Sequence, residues 1–239
     1  HKEYRRQRQM CKETGTGIIV NLAGTAVTVN GTSIAANSGA GGALGDTYAN
    51  IQDITGGSGA DIIVANLAAN NINGGTGTNN TVHYGGSGAG VIVNLSGASV
   101  TIGATTVASM TGANATASAS HAAGDTYTAI QNVTGSTFND IFIGGAEVNA
   151  FTGNGGSDTV SYAASGSAVT VNLSTGPVTP TAGGGSLAAG TGRGGDAQGD
   201  TYNGISNVTG STFGGDEFFA HNTLAVSYTH LTLPTILLV

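Results

Sequence analysis

Residues 56–64 read Gly-Gly-Ser-Gly-Ala-Asp-Ile-Ile-Val and match the pattern G-G-x-G-x-D-x-U-x, where U is a large apolar residue, at every fixed position. The same nine-residue spacing recurs later in the chain in three series of residues. The series are Gly135, Gly144 and Gly153; Asp140, Asn149 and Asp158; and Phe142, Phe151 and Val160. Because all three series keep one spacing, this region predicts a solenoid of short stacked turns.

A longer repeat surrounds these nonapeptides. Val-Asn-Leu begins at positions 20, 93 and 171, and Gly-Asp-Thr-Tyr begins at positions 45, 124 and 199. Nonapeptides follow, and two of the units close on Thr-Val-x-Tyr. We expect one repeat region over 14–225, with units at about 18–90 and 91–168 and a truncated unit at 169–225, because no unit can bury its apolar face alone.

The pattern of apolar residues favours strands. Val91, Val93 and Leu95 alternate with other residues, as expected of a half-buried strand, and the chain has no amphipathic helix of ten or more residues. The predicted fold is all-β. It is a parallel β-roll or β-solenoid of nonapeptide turns, interrupted by irregular loop insertions rich in Gly, Ala, Thr and Ser.

The composition limits the kind of partner. With 42 Gly, 8% charged and 39% apolar residues among 239, the chain should fold around a core. From Thr14 onward Arg193 is the only basic residue against eleven carboxylates, so this body should repel nucleic acid and attract cations. The only cysteine, Cys11, precedes the repeats, so the repeat region cannot be held by disulfides.

Both ends differ from the repeats. Residues 1–13 form a basic leader without the apolar segment of a signal peptide, and we expect them to lie outside the fold. Residues 226–239 resemble the translation of a transposase-end sequencing adapter and are expected to be an adapter-derived tail. The alternative is a genuine apolar tail, which would be too short to span a bilayer.

The nonapeptide chemistry points to a cation. Glycines let the loop turn sharply and direct its carbonyls to one point, and the aspartate adds an anionic oxygen. If two nonapeptides complete one coil, Asp140 and Asp158, eighteen residues apart, lie on the same edge. Two carboxylates with neighbouring carbonyls approach the about six to eight oxygen ligands of Ca²⁺. The candidate metal ligands are Gly57, Gly59, Asp61, Asp140, Asn149, Gly156 and Asp158.

These motifs resemble the RTX (repeats-in-toxin, hemolysin-type) calcium-binding repeat proteins over residues 16 to about 220. The resemblance implies a bacterial protein that leaves the cell by type I secretion and folds outside as calcium binds. Its place would be extracellular or at the cell surface. Several pattern residues are lost, for example where Asn149 replaces the aspartate. We therefore expect one or two sites with affinities of ~10⁻⁴ to 10⁻³ M.

Other polar residues have plainer interpretations. Asp46, Asp125 and Asp200 are turn-forming residues in the simplest reading, with a contact to calcium left open. His83, His121 and His221 are isolated and lack metal-ligand spacing. No catalytic set of residues can be placed across a pocket, so we expect the chain not to be an enzyme.

Three functions remain open. The first is a calcium-stiffened structural or adhesive segment of a secreted or surface protein, whose partner would be a cell surface, a glycan or a protein. The second is the carrier region of a secreted hydrolase or toxin with its catalytic domain elsewhere. The third is a metal-free structural β-solenoid.

Overall fold

The computed structural model describes residues 9–10, 17–114, 120–220, 226–227 and 237–238, with side chains over 17–112 and 120–220. These residues form short β-strands and one short 3-10 helix, Gly195–Ala197, so the all-β prediction is confirmed. The strands are β1 Gln9–Met10, β2 Ile18–Asn21, β3 Val27–Val29, β4 Thr32–Ile34, β5 Ser38–Gly41, β6 Asp53–Thr55, β7 Ile62–Val64, β8 Asn71–Asn73, β9 Thr81–His83, β10 Val91–Asn94, β11 Val100–Ile102, β12 Thr105–Val107, β13 Thr111–Asn114, β14 Thr126–Thr128, β15 Asn132–Thr134, β16 Ile141–Ile143, β17 Ala150–Thr152, β18 Asp158–Ser161, β19 Thr170–Asn172, β20 Thr191–Arg193, β21 Thr201–Asn203, β22 Ile205–Thr209, β23 Glu217–Ala220, β24 Val226–Ser227 and β25 Leu237–Leu238.

Successive nonapeptide strands alternate between two sheets. Sheet I has the order β1-β6-β8-β14-β13-β10-β16-β18-β22-β24, and sheet II has the order β25-β23-β19-β20-β21-β17-β15-β9-β7-β2-β5. Strands eighteen residues apart pair in parallel, for example Phe142 with Val160 and Val133 with Phe151. Two nonapeptides therefore complete one coil, which is the strand arrangement of a parallel β-roll.

Each long repeat inserts extra strands into this roll. The Val-x-Val-Asn-Leu strands β2, β10 and β19 pair in parallel with the nonapeptide strands β7, β16 and β23. The segment that follows each Val-x-Val-Asn-Leu strand was expected to be an irregular loop, but it is more regular than that. In the first two units it forms a hairpin, β3–β4 or β11–β12, and then an antiparallel strand, β5 or β13.

The asparagine of Val-Asn-Leu explains why this motif begins each unit. The side-chain amide of Asn94 donates to the carbonyls of Ala98 (2.9 Å), Val107 (3.2 Å) and Ala108 (2.9 Å). Its Oδ1 accepts the backbone N–H of Ser96 at 2.9 Å. One buried side chain thus holds both ends of the hairpin, and Asn21 and Asn172 make the same set of contacts.

The core lies between the two sheets. In nonapeptide strands such as β15 and β17 the middle residue is buried and the flanking residues are partly exposed, as the two-residue period predicts. The rings of Phe142 and Phe151 stack at a centroid distance of 5.7 Å, and those of Phe151 and Tyr202 at 6.5 Å. This continuous inward column packs neighbouring units together.

Short pairings extend both sheets at their ends. Strand β1 pairs with β6, β24 pairs with β22, and β25 pairs with β23, each over two residues. Most of residues 1–13 and 226–239 lies outside the described residues, so the assignment of both ends stays a prediction. None of the described helices is long and apolar enough to cross a membrane.

Candidate functional site

An Asp, Asn or Gln lies at the entry to most strands of the roll, and its side chain bonds to the neighbouring coil. We call this set the entry ladder. On the edge that leads into sheet II, the N–H of Ile18 donates to Oδ1 of Asp61 at 2.9 Å, and the N–H of Asp61 donates to Oδ1 of Asn80 at 2.9 Å. The ladder continues from Asn80 to Gln131 at 3.0 Å. These side chains therefore connect successive coils in addition to the backbone pairing of the strands.

The edge that leads into sheet I carries the equivalent ladder. The N–H of Val91 donates to Oδ1 of Asp140 at 2.8 Å, and the N–H of Asp140 donates to Oδ1 of Asp158 at 2.8 Å. The structure thus brings the two aspartates that lie eighteen residues apart into contact, through the backbone of Asp140 and the carboxylate of Asp158. It places Asn149 on the opposite edge, where its N–H donates to Asp200 at 2.7 Å.

The first glycine of each nonapeptide is required by the aspartate that follows five residues later. A Cβ atom on Gly56, Gly135 or Gly153 would lie only 2.3, 2.2 or 2.1 Å from Oδ2 of that aspartate. The carboxylate packs directly against the glycine backbone, so a larger residue would displace it. Gly156 is required for a different reason, because its φ of 92° is a left-handed conformation.

The three aspartates differ in how many of their oxygens are already bonded. Both oxygens of Asp61 accept backbone N–H groups, since Oδ2 accepts from Gly57 at 2.6 Å. Asp140 accepts from Val91 and from both the N–H (2.7 Å) and the hydroxyl (2.8 Å) of Ser136. Each of the four carboxylate oxygens of these two residues therefore already accepts at least one hydrogen bond.

Asp158 is the exception. Its side chain is buried and its Oδ1 accepts the N–H of Asp140, but Oδ2 has no hydrogen-bond partner among the described residues. The N–H that serves this role elsewhere comes from the residue four positions earlier, which here is Asn154. Asn154 adopts a φ of 77°, so this loop has a different course from those at Gly57 and Ser136.

Electrostatics support this distinction. Burial raises the pKa of Asp158 to about 6, the N–H of Asp140 acts against this shift, and the charge of Asp140 adds to it. Burial also raises the pKa of Asp140, although the donors of Val91 and Ser136 oppose it. Among the three nonapeptide aspartates, Asp158 is therefore the one whose buried oxygen could still bond to a proton or a cation.

The other predicted ligands are placed less favourably for calcium. Gly57 faces Asp61 as an N–H donor, and the carbonyl of Gly59 packs against the next coil at Gly77. Asn149 uses Oδ1 to accept from Gly145 (3.0 Å) and its amide to donate to Gln131 (2.8 Å). Across the described residues no group of three or more His, Cys, Asp or Glu side chains is placed to hold a metal.

The sequence analysis missed two buried clusters of one aspartate and two tyrosines. The hydroxyl of Tyr84 donates to Oδ2 of Asp125 at 2.7 Å and lies 2.6 Å from the hydroxyl of Tyr127. Tyr162, Asp200 and Tyr202 repeat this arrangement at 2.5 and 2.6 Å. The available signal was that Thr-Val-x-Tyr and Asp-Thr-Tyr recur together in the repeat.

Burial controls the ionisation of these clusters. It raises the pKa of Asp125 and of Asp200 to about 7, against the hydrogen bonds of the tyrosine and of one backbone N–H. Asp125 and Asp200 also belong to the entry ladder, because they accept the N–H of Asn70 and Asn149. The side chains that the sequence assigned to turns thus bond to distant residues, and they join neighbouring parts of the roll.

No protein-family model matches this sequence, and no curated protein is significantly similar to it. The resemblance to RTX repeats consequently rests on the nonapeptides and on the long repeat.

Proposed function

We propose that this chain is a structural and adhesive segment of a secreted or surface-attached bacterial protein, with a β-roll that calcium stiffens at one edge. Its role is non-enzymatic in this proposal. The parallel roll, the acidic body and the RTX-like nonapeptides support it. The export route by type I secretion and the extracellular location follow from the resemblance and belong to the proposal.

The unpaired Oδ2 of Asp158 is the single observation that carries the calcium part. A Cβ on Gly153 would lie 2.1 Å from this oxygen and 2.6 Å from the carbonyl oxygen of Gly204, so both oxygens lie beside the backbone of Gly153. The same contacts occur at Gly56 and Gly135, and Asp158 differs from those sites in that its Oδ2 has no hydrogen-bond partner among the described residues. A carboxylate oxygen and a carbonyl oxygen are ligands of the kind that Ca²⁺ takes. When bound, the cation would neutralise the buried carboxylate.

In this arrangement Asp158 and the carbonyl of Gly204 would hold the ion, and Asp140 would position Asp158 through its backbone N–H. Residue Gly204 lies in the turn between β21 and β22, next to the 153–158 loop in the roll. Calcium would thus join the coil of Asp158 to the coil of Gly204, through the Oδ2 atom that makes no hydrogen bond in the entry ladder. We expect one site of this kind among the described residues.

A metal-free structural solenoid is the second candidate, and the entry ladder favours it. Asp61 and Asp140 each already accept one backbone N–H from a neighbouring coil and one from their own loop. These hydrogen bonds stabilise the carboxylates and join the coils, which are the two roles that calcium has in the first candidate. In this alternative the carboxyl of Asp158 is protonated and donates a hydrogen bond within the roll.

Isothermal titration of calcium into the full chain separates the two candidates. We expect one saturable binding event at ~10⁻⁴ to 10⁻³ M for the wild type and for Asp61→Asn, and loss of that event in Asp158→Asn. Absence of binding heat in the wild type at about 10 mM calcium would favour the metal-free roll. Equal binding by Asp158→Asn would place calcium elsewhere.

A further inference from the structure

A second feature of the roll is a groove on the outer face of sheet II. Outward residues of β9, β15, β17 and β21 form its floor, and the β3–β4 hairpin forms a wall. The groove has a volume of about 540 Å³. A further hollow of about 500 Å³ continues it past Thr152 and Asn203.

The hairpin explains why the groove begins where it does. Over β2 and β7 the hairpin covers outward apolar residues, and Ile19, Ile62 and Val64 pack against it. Over β9, β15, β17 and β21 the outward positions are mostly polar, and all of them except the buried His83 are at least partly exposed. The change from apolar to polar outward residues thus produces a wall followed by an open floor.

The floor is an ordered array of polar side chains. The strand register places His83, Thr134, Thr152 and Asn203 in one row across four neighbouring strands. Thr81 and Asn132 begin a second row beside it. With strands about 4.8 Å apart, the first row extends about 14 Å along the axis of the roll.

This array is neutral. None of the described residues that line the groove is Lys, Arg, Asp or Glu. The imidazole of His83 is held in one neutral form, because its Nδ1 accepts the N–H of Gly85 at 3.0 Å and the proton therefore lies on Nε2. Burial lowers the pKa of His83 to about 4, in keeping with this assignment.

The hydroxyls in the row are available to a ligand. Those of Thr134 and Thr152 make no side-chain hydrogen bond to another described residue, and their strands are already paired on both sides. Hydroxyl and amide groups both donate and accept hydrogen bonds. An array of such groups matches a ligand that also presents many donors and acceptors in a row.

We propose that this groove binds a neutral glycan chain that lies along the axis of the roll across β9, β15, β17 and β21. A charged ligand would find no counter-charge in the lining, and nucleic acid would meet an acidic body. An apolar segment would leave the hydroxyls and amides without partners, which is costly. The glycan would be the partner in the adhesive role of the proposed function. This inference rests on the adhesive role and does not depend on calcium binding.

The test is binding of neutral hexasaccharides, such as maltohexaose, cellohexaose and mannohexaose, to the full chain, with oligogalacturonate as the charged comparison. We expect at least one neutral glycan to bind and the charged one not to. The double variant Thr134→Val with Thr152→Val keeps the shape and strand preference but removes two hydroxyls. It should bind about tenfold more weakly or worse.

The matched control is Thr126→Val with Thr128→Val, which removes two exposed hydroxyls from sheet I and should leave the affinity unchanged. Circular dichroism checks that both variants fold. Absence of binding to any neutral glycan by the folded wild type overturns the proposal. An equal loss of glycan affinity in the two double variants would also overturn the proposal. So would self-association of the chain through sheet II, measured by sedimentation.

Each titration is repeated with a calcium chelator and with saturating calcium. A chain that binds calcium but no glycan would reject the groove alone. A chain that binds glycan in the chelator would support the groove even if the calcium edge fails.

Discussion

The backbone N–H of Asp140 donates to Oδ1 of Asp158 at 2.8 Å, across eighteen residues of sequence. This bond joins two successive coils at the edge of the roll. Its counterpart on the other edge runs from Asp61 to Asn80 at 2.9 Å. Side chains that the nonapeptide pattern predicts as metal ligands therefore also join the coils through hydrogen bonds.

The entry ladder predicts a large cost for removing one of its carboxylates. In Asp61→Ala the buried N–H of Ile18 and the partly buried N–H of Gly57 lose their acceptor, and a fully buried unpaired donor costs about 1–3 kcal/mol. We expect the free energy of unfolding, measured with urea, to fall by about 2–4 kcal/mol. Asp61→Asn keeps one acceptor oxygen and should lose less. A fall below about 0.5 kcal/mol in the alanine variant would contradict the ladder.

The close approach of Oδ2 to the first glycine predicts that alanine is not tolerated there. Gly135→Ala would place a Cβ 2.2 Å from Oδ2 of Asp140, so the buried carboxylate must move. We expect a loss of more than about 2 kcal/mol in urea unfolding. Gly97 is the matched control, because a Cβ there meets nothing within 4 Å. A similar loss of stability in Gly135→Ala and Gly97→Ala would contradict the steric role of Gly135 beside the carboxylate.

The aspartate–tyrosine clusters predict that the roll is more stable in mild acid. Burial raises the pKa of Asp125 and of Asp200 to about 7, above the value of about 3.9 in an unfolded chain. The folded state then holds protons that the unfolded state releases. The resulting stabilisation is complete below about pH 4 and is lost as the pH rises through about 7.

We therefore expect the free energy of unfolding, measured in a calcium chelator, to decrease between about pH 5 and pH 8. Asp125→Asn with Asp200→Asn should flatten this dependence, because the amide stays neutral and can still bond to Tyr84 and Tyr162. An unchanged slope in the double variant would assign the pH dependence to other groups.

The coil length and the inward column could be predicted from the sequence, because the spacing of Phe142, Phe151 and Val160 directly sets the register of stacked strands. The bonding of the carboxylates could not be predicted in the same way. The sequence shows where Asp158 lies in the loop, but it shows neither the left-handed backbone at Asn154 nor the missing hydrogen-bond partner of Oδ2 among the described residues.

The tyrosine clusters were hidden for another reason. Tyr84 and Asp125 are 41 residues apart, with a hairpin and a returning strand between them. Their contact depends on where that insertion returns to the roll. The nine-residue period does not predict the path of the insertion. The Thr-Val-x-Tyr and Asp-Thr-Tyr motifs recur together, however, and this joint recurrence indicates a contact between them.

The most direct test of the calcium-stiffened roll is the melting temperature of the wild type and of Asp158→Asn, with and without calcium at about pH 8, where Asp158 is ionised. At calcium ten times above Kd the wild type should gain ~1.4 kcal/mol, a rise of about 3–5 °C, and Asp158→Asn should gain nothing. At about pH 5 the wild-type gain should shrink, since protons compete for Asp158. An unchanged wild-type melting temperature at about pH 8, or an equal rise in Asp158→Asn, would contradict the account.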